Sequence, residues 1–279
     1  MPDNTVTKTN LISSVVIPYD FESYGVFVRI ESNQQEMVDE AERVLKVSLL
    51  NNVRPVRRKK FDIVYRLDRN KRGRRVIIQN GEEIAGGGTH KKFFKFWESI
   101  LRVAIAERAP GLVFLHAGVV GWKGQAIIIP ADSFKGKSTL VSELVRNGAE
   151  YYSDEFAIID AEGLVHPFAR RIGRRTEDFR TYEITVEDLG GSYGHSPIPV
   201  GFVLITEYRP NAKWSPKILT PGQGILEIIP FTLCLRHRPD FSLKVLNNIA
   251  TSAIITSSLR GTAEKFAETL LNFVDKHIN

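Results

Sequence analysis

The segment Ala131-Asp132-Ser133-Phe134-Lys135-Gly136-Lys137-Ser138-Thr139 constrains this chain more than any other. It follows the apolar run Ile127-Ile128-Ile129 and precedes Leu140, Val141, Leu144 and Val145, whose spacing predicts an amphipathic helix ending near Gly148. Strand, loop, Gly-Lys-Ser and helix in that order form the Walker A arrangement. In such a loop the backbone N–H groups point at phosphate oxygens. Lys137 supplies a mobile cation, and the Ser138 hydroxyl can complete the coordination of Mg²⁺. Two positions depart from the pattern: Ala131 stands at the first glycine, and Phe134 stands where many such loops carry another. A side chain held in a left-handed conformation there would cost energy. Gly-Lys-Ser triplets also arise by chance, and it is the flanking strand and helix that favour a phosphate site built from residues 132–139.

A second motif follows, Tyr151-Tyr152-Ser153-Asp154-Glu155, leading into the apolar run Phe156-Ala157-Ile158-Ile159. Adjacent carboxylates are commonly surface decoration. Placed after a phosphate-binding helix, they suit Mg²⁺-assisted phosphoryl transfer, one holding the metal and one accepting a proton from an attacking hydroxyl. His116 lies in the run Phe114-Leu115-His116-Ala117-Gly118, where composition alone reads it as a satisfied core histidine.

Several of these motifs occur together in order: Leu115-His116-Ala117-Gly118-Val119-Val120, Ala131-Asp132-Ser133 before Gly136-Lys137-Ser138-Thr139, Glu143-Leu144, Arg146-Asn147-Gly148 and Ser153-Asp154-Glu155. As a set they resemble the catalytic domain of the HPr serine kinase/phosphorylase family, closely over about residues 93–160 and loosely over the rest of the C-terminal part. The resemblance implies a P-loop fold related to phosphoenolpyruvate carboxykinases, with ATP and Mg²⁺ phosphorylating a hydroxyl group. It implies that Lys137 contacts the phosphates, that Ser138 meets the metal, and that Asp154 is the base, with His116 beside it. Glu155 would support the metal where the family has a second aspartate, one methylene shorter. The family's glycine-rich stretch after this pair, linked to its phosphorylase activity, has no counterpart here. Phe168-Ala169-Arg170-Arg171-Ile172-Gly173-Arg174-Arg175 stands in that region. These arginines either solvate a loop or fold back to clamp phosphate.

The expected fold is α/β. A P-loop kinase domain of the HPr kinase/phosphoenolpyruvate carboxykinase type over 89–279 follows a small α+β lobe over 1–88, with the flexible Gly86-Gly87-Gly88 between them. In the lobe, period-2 runs at Ser14–Ile17, Val26–Ile30, Phe61–Leu67 and Arg75–Gln79 alternate with a helical pattern around Met37, Ala41 and Leu45. Residues 54–75 hold eleven Lys or Arg against Asp62 and Asp68, so a chain of net charge +6 is slightly acidic outside them. This charge is expected on a hairpin turning at Asn70-Lys71-Arg72-Gly73, as a solvated surface or as a docking site for an acidic protein or peptide. A global nucleic-acid face is not indicated.

The single cysteine, Cys234, forms no internal bridge, the N-terminus has no export pattern, and no apolar run is long enough for a membrane span. A cytoplasmic protein is expected, assembling as a homo-oligomer. The expected function is ATP- and Mg²⁺-dependent transfer of the γ-phosphoryl group to a serine-type hydroxyl of a protein or peptide. The alternatives are a nucleotide-regulated binding protein and a kinase of a small metabolite such as free serine.

Overall fold

The computed structural model describes residues 15–50, 52–132, 135–175 and 181–277, which form two compact units, Met1–Pro110 and Gly111–Asn279. The first opens with the hairpin β1 (Ile17–Ser23) and β2 (Val26–Ser32), followed by α1 (Gln35–Ser48), β3 (Arg54–Pro55), β4 (Ile63–Arg69), β5 (Arg75–Gln79), β6 (Glu82–Gly86) and α2 (His90–Arg108). The strands lie in the order β3-β1-β2-β4-β5-β6, with only β2 and β4 parallel. Alternation in β2 buries Val26, Val28 and Ile30 and leaves Phe27, Arg29 and Glu31 half-buried, as a sheet covered mainly on one face requires. Trp97 of α2, fully buried, meets the edges of Tyr65 and Phe94 at 6.2 and 6.0 Å. Arg102 donates to the Ser48 hydroxyl at 3.0 Å, tying α2 to the end of α1.

These contacts explain a difference from the sequence reading. The compact units part at Pro110 and Gly111 rather than at residue 88, because the aromatic stripe of α2 is spent on the first sheet. The basic segment is corrected more sharply. β4 and β5 do form a hairpin, and the Asn70 side chain closes its turn by accepting the N–H groups of Arg72 and Arg74 at 3.0 and 3.1 Å. Arg57, Arg58, Lys59 and Lys60, however, precede β4 while the turn follows it. Seven residues of strand, at about 3.3 Å each, set the two clusters some 20 Å apart. Four of the other arginines are also engaged within the unit. Arg66 pairs with Asp68 at 2.6 Å, Arg69 donates to the Gly73 carbonyl, Arg74 pairs with Glu83, and Arg75 donates to the Gly88 carbonyl. One continuous patch does not form.

The second unit runs β7 (Leu112–Trp122), β8 (Gln125–Pro130), α3 (Lys137–Arg146), β9 (Glu150–Ser153), β10 (Phe156–Asp160), β11 (Leu164–His166), β12 (Ile172–Arg175), β13 (Thr181–Ile184), β14 (Ile198–Tyr208), β15 (Lys217–Ile218), α4 (Pro221–Ile228), α5 (Pro239–Ser252), β16 (Ile254–Arg260) and α6 (Ala263–His277). The order β11-β10-β7-β8-β14-β16-β15 places β8, β14 and β16 in parallel, and β11 also pairs with β14. α3 and α6 cover one face through Val120, Ile127, Ile129, Leu144 and Leu270, while α5 covers the other through Leu115, Ile128, Leu246 and Ile249. The unit is thus a mixed α/β sandwich with helices on both faces. Among the described residues, no helix is long and apolar enough to cross a membrane.

Replacing Trp97 by Ala is expected to destabilise the first unit by about 3–5 kcal/mol, through the transfer and cavity terms of a buried aromatic. Urea unfolding followed by circular dichroism measures it.

Candidate active site

The site is organised by one strand changing partners. β7 pairs with β10 from Leu112 to His116, with Phe156 opposite His116, and then takes β8 from Ala117 to Trp122. Its far half also pairs with β9, with Val119 opposite Ser153. Asp154 and Glu155 are the two residues between β9 and β10, so they fall where the partner of β7 passes from β10 to β9. The Ala117 N–H donates to the Glu155 carbonyl at 3.1 Å, and the Ala131 N–H donates to the His116 carbonyl at 3.4 Å. Histidine, acidic pair and the start of the loop are therefore joined by backbone.

The loop leaves β8 at Pro130, and α3 starts at Lys137. Ala131 is buried and is not among the residues of positive φ, so its side chain causes no strain at the first position of the motif. Asp132 and Lys135 are exposed, Ser138 and Thr139 are half-buried, and Ser133 and Phe134 lie outside the described residues. Gly136 caps α3 in the left-handed region at φ +79°, which only glycine adopts without cost. Lys137 points back under the loop with 8% exposure, its Nζ 2.9 Å from His116 Nε2 and 3.4 Å from the Ala131 carbonyl. A Cβ on Gly118 would lie 2.6 Å from Val141 Cγ2 and 3.1 Å from Lys137 Cγ, so glycine there is what lets α3 and the lysine stem lie against β7.

Burial sets the charges. It lowers the Lys137 ammonium to about 8 against the opposing pull of Asp154, Glu155 and Asp132. It lowers His116 to about 4, with repulsion from Lys137 adding to the effect. His116 is thus neutral at pH 7, and its Nε2 accepts from the ammonium. The Asp154 carboxyl is raised by burial, although hydrogen bonds from Ser138 and Tyr151 oppose the shift. Tyr151 Oη donates to Asp154 Oδ1 at 3.0 Å, and the Gly173 N–H donates to Oδ2 at 3.3 Å. Arg170 pairs with Glu155 at 2.6 Å. The arginine segment therefore folds back onto the acidic pair through Arg170 and Gly173, while Arg171 is exposed, Arg174 is half-buried and Arg175 is described only as the last residue of β12.

His116, Lys137, Ser138, Asp154 and Glu155 thus occupy one place. Among the described residues, no three His, Cys, Asp or Glu side chains cluster closely enough to hold a metal by themselves. Two carboxylates and a hydroxyl are hard oxygen donors that fit Mg²⁺, which normally draws its remaining ligands from water and substrate phosphates. Sequence reasoning missed Arg260, which reaches the Gly136 carbonyl at 3.2 Å from 124 residues away. An ordinary Ser-Ser-Leu-Arg-Gly run carried no signal for it. Tyr151 stood beside the acidic motif without a role.

No protein-family model and no curated protein matches the chain. Among solved structures it is similar to the HPr(Ser) kinase/phosphatase from Coxiella burnetii, at 13% identity over 59% of this chain and 95% of that one, with a TM-score of 0.33. A likeness that distant carries no argument about the site.

Two outcomes check this geometry. The His116 ring, followed by ¹⁵N NMR, is expected to stay neutral as the pH falls from 7 to about 4, whereas a midpoint near the ordinary 6.5 would mean that water reaches it. Gly118→Ala is expected to cost about 1–3 kcal/mol by overpacking, measured by thermal unfolding.

Proposed function

We propose that the second unit binds ATP with Mg²⁺ on the loop between β8 and α3 and transfers the γ-phosphoryl group to a serine-type hydroxyl of a protein or peptide. The observation that supports this reading is the meeting of Lys137, Ser138 and the Asp154-Glu155 pair at one helix start, with Lys137 buried against a neutral histidine and no carboxylate in hydrogen-bonding contact with its ammonium among the described residues. A buried ammonium of this kind is compensated by an anion. Backbone N–H groups at the start of α3 receive phosphate oxygens, and Lys137 leaves His116 to join them. Ser138 and Asp154, with Glu155 supporting, would hold Mg²⁺, which offsets charge on the phosphate chain.

In the transfer, the acceptor oxygen forms a bond to the γ-phosphorus while the bond from that phosphorus to the β-bridging oxygen breaks, and ADP leaves with the electron pair. The acceptor proton passes to Asp154 as the general base. Tyr151 holds that carboxylate in place. The acceptor is proposed to dock on the first unit at one of its two basic ends, Arg57–Lys60 or Lys71-Arg72.

Lys137→Ala is expected to weaken MgATP binding by about tenfold or more in calorimetry, the worth of a charge-assisted contact. Equal affinities would remove the loop from the account. Asp154→Asn is expected to leave ATP affinity within a few-fold and to slow single-turnover transfer by about 10²-fold, the contribution of a placed base.

A further inference from the structure

Arg260 closes β16 with 3% exposure. Its Nη2 donates to the Gly136 carbonyl at 3.2 Å and its Nη1 to the Gly261 carbonyl at 3.1 Å. Its Nε is buried without a hydrogen-bond partner. Glu264 acts on the guanidinium through its field, but no carboxylate among the described residues pairs with it. A full positive charge is therefore kept out of water by two neutral carbonyls and the Tyr208 ring, 5.6 Å from its Cζ, with no carboxylate bonded to it among the described residues, an arrangement that is costly unless an anion comes near.

The position of the carbonyl indicates where the anion belongs. Gly136 C=O and Lys137 N–H are the two ends of one peptide unit, and in a trans peptide they point in opposite directions. A cation on the oxygen polarises that unit and leaves the N–H more positive on its other side. This N–H is the first of α3, a donor with no partner inside the helix. Arg260 also fills the space beside Gly136, where a Cβ would stand 2.9 Å from its Nη2.

We infer that Arg260 is a positioning residue of the phosphate site, which pins Gly136 in its left-handed conformation and strengthens the Lys137 N–H as a donor to nucleotide phosphate. The phosphate chain in turn offsets the buried charge of Arg260. The inference rests on the nucleotide reading above and adds to it a second cation, acting from behind the loop.

The test compares wild type, Arg260→Met and Arg260→Lys by calorimetry with MgATP and with magnesium pyrophosphate, and by thermal unfolding without ligand. Arg260→Met is expected to bind both ligands about tenfold more weakly. Its ligand-free midpoint should be no lower than that of wild type, because a buried unpaired charge is gone. Arg260→Lys should recover most of the affinity. A Met variant that binds both ligands as wild type does would overturn the inference and leave the nucleotide site standing. A Met variant with a lowered midpoint, whose affinity lysine fails to restore, would make Arg260 a matter of shape and also overturn it. Should Arg260→Met fail to fold, Arg260→Lys decides, with near-normal affinity in support and a tenfold loss against. If wild type binds neither ligand, the nucleotide reading falls first and takes this inference with it.

Discussion

β7 pairs with β10 as far as His116 and with β9 from Val119 on, while β8 pairs with it from Ala117 to Trp122. That exchange opens the sheet where β9 hands over to β10, and Asp154 and Glu155 stand in the opening. Gly118, on the next turn of the pleat, keeps the surface low enough for α3 to settle against it. The Lys137 stem then runs along β7 and its ammonium arrives at His116.

The charges gathered there are balanced unevenly. The carboxylates are well supplied, Asp154 by Ser138, Tyr151 and Gly173, and Glu155 by Arg170. Lys137 is hydrogen-bonded only to a neutral histidine and a carbonyl, with the carboxylates acting on it through their field, and Arg260 rests on two carbonyls and the Tyr208 ring. Cations without ion-pair partners among the described residues, buried on both sides of a helix start, make a place where incoming negative charge is stabilised. Such sites commonly give up some stability for function, and this one fits that pattern.

Legibility followed the range of the interaction. The loop, the acidic pair and the flanking strand and helix are local patterns, and they could be read from Ile127 to Glu155 without a structure. The final helix could be read too, since Phe266, Ala267, Leu270 and Val274 lie on one face and are buried together. Three things could not. The aromatic stripe of α2 gives a period but not the sheet it packs on, so the division between units was expected about twenty residues early. The basic run gives a charge count, but strand length decides whether that charge is one patch or two. Arg260 meets Gly136 from a strand that lies beyond β14 from β8, an order that no local pattern encodes.

Amide hydrogen exchange of the intact chain, with and without MgATP, tests the central claim most directly. The account predicts new protection in the second unit at the end of β8, in the first turn of α3 and between β9 and β10. Unchanged exchange in those three segments, at a concentration of MgATP that binds, would contradict it.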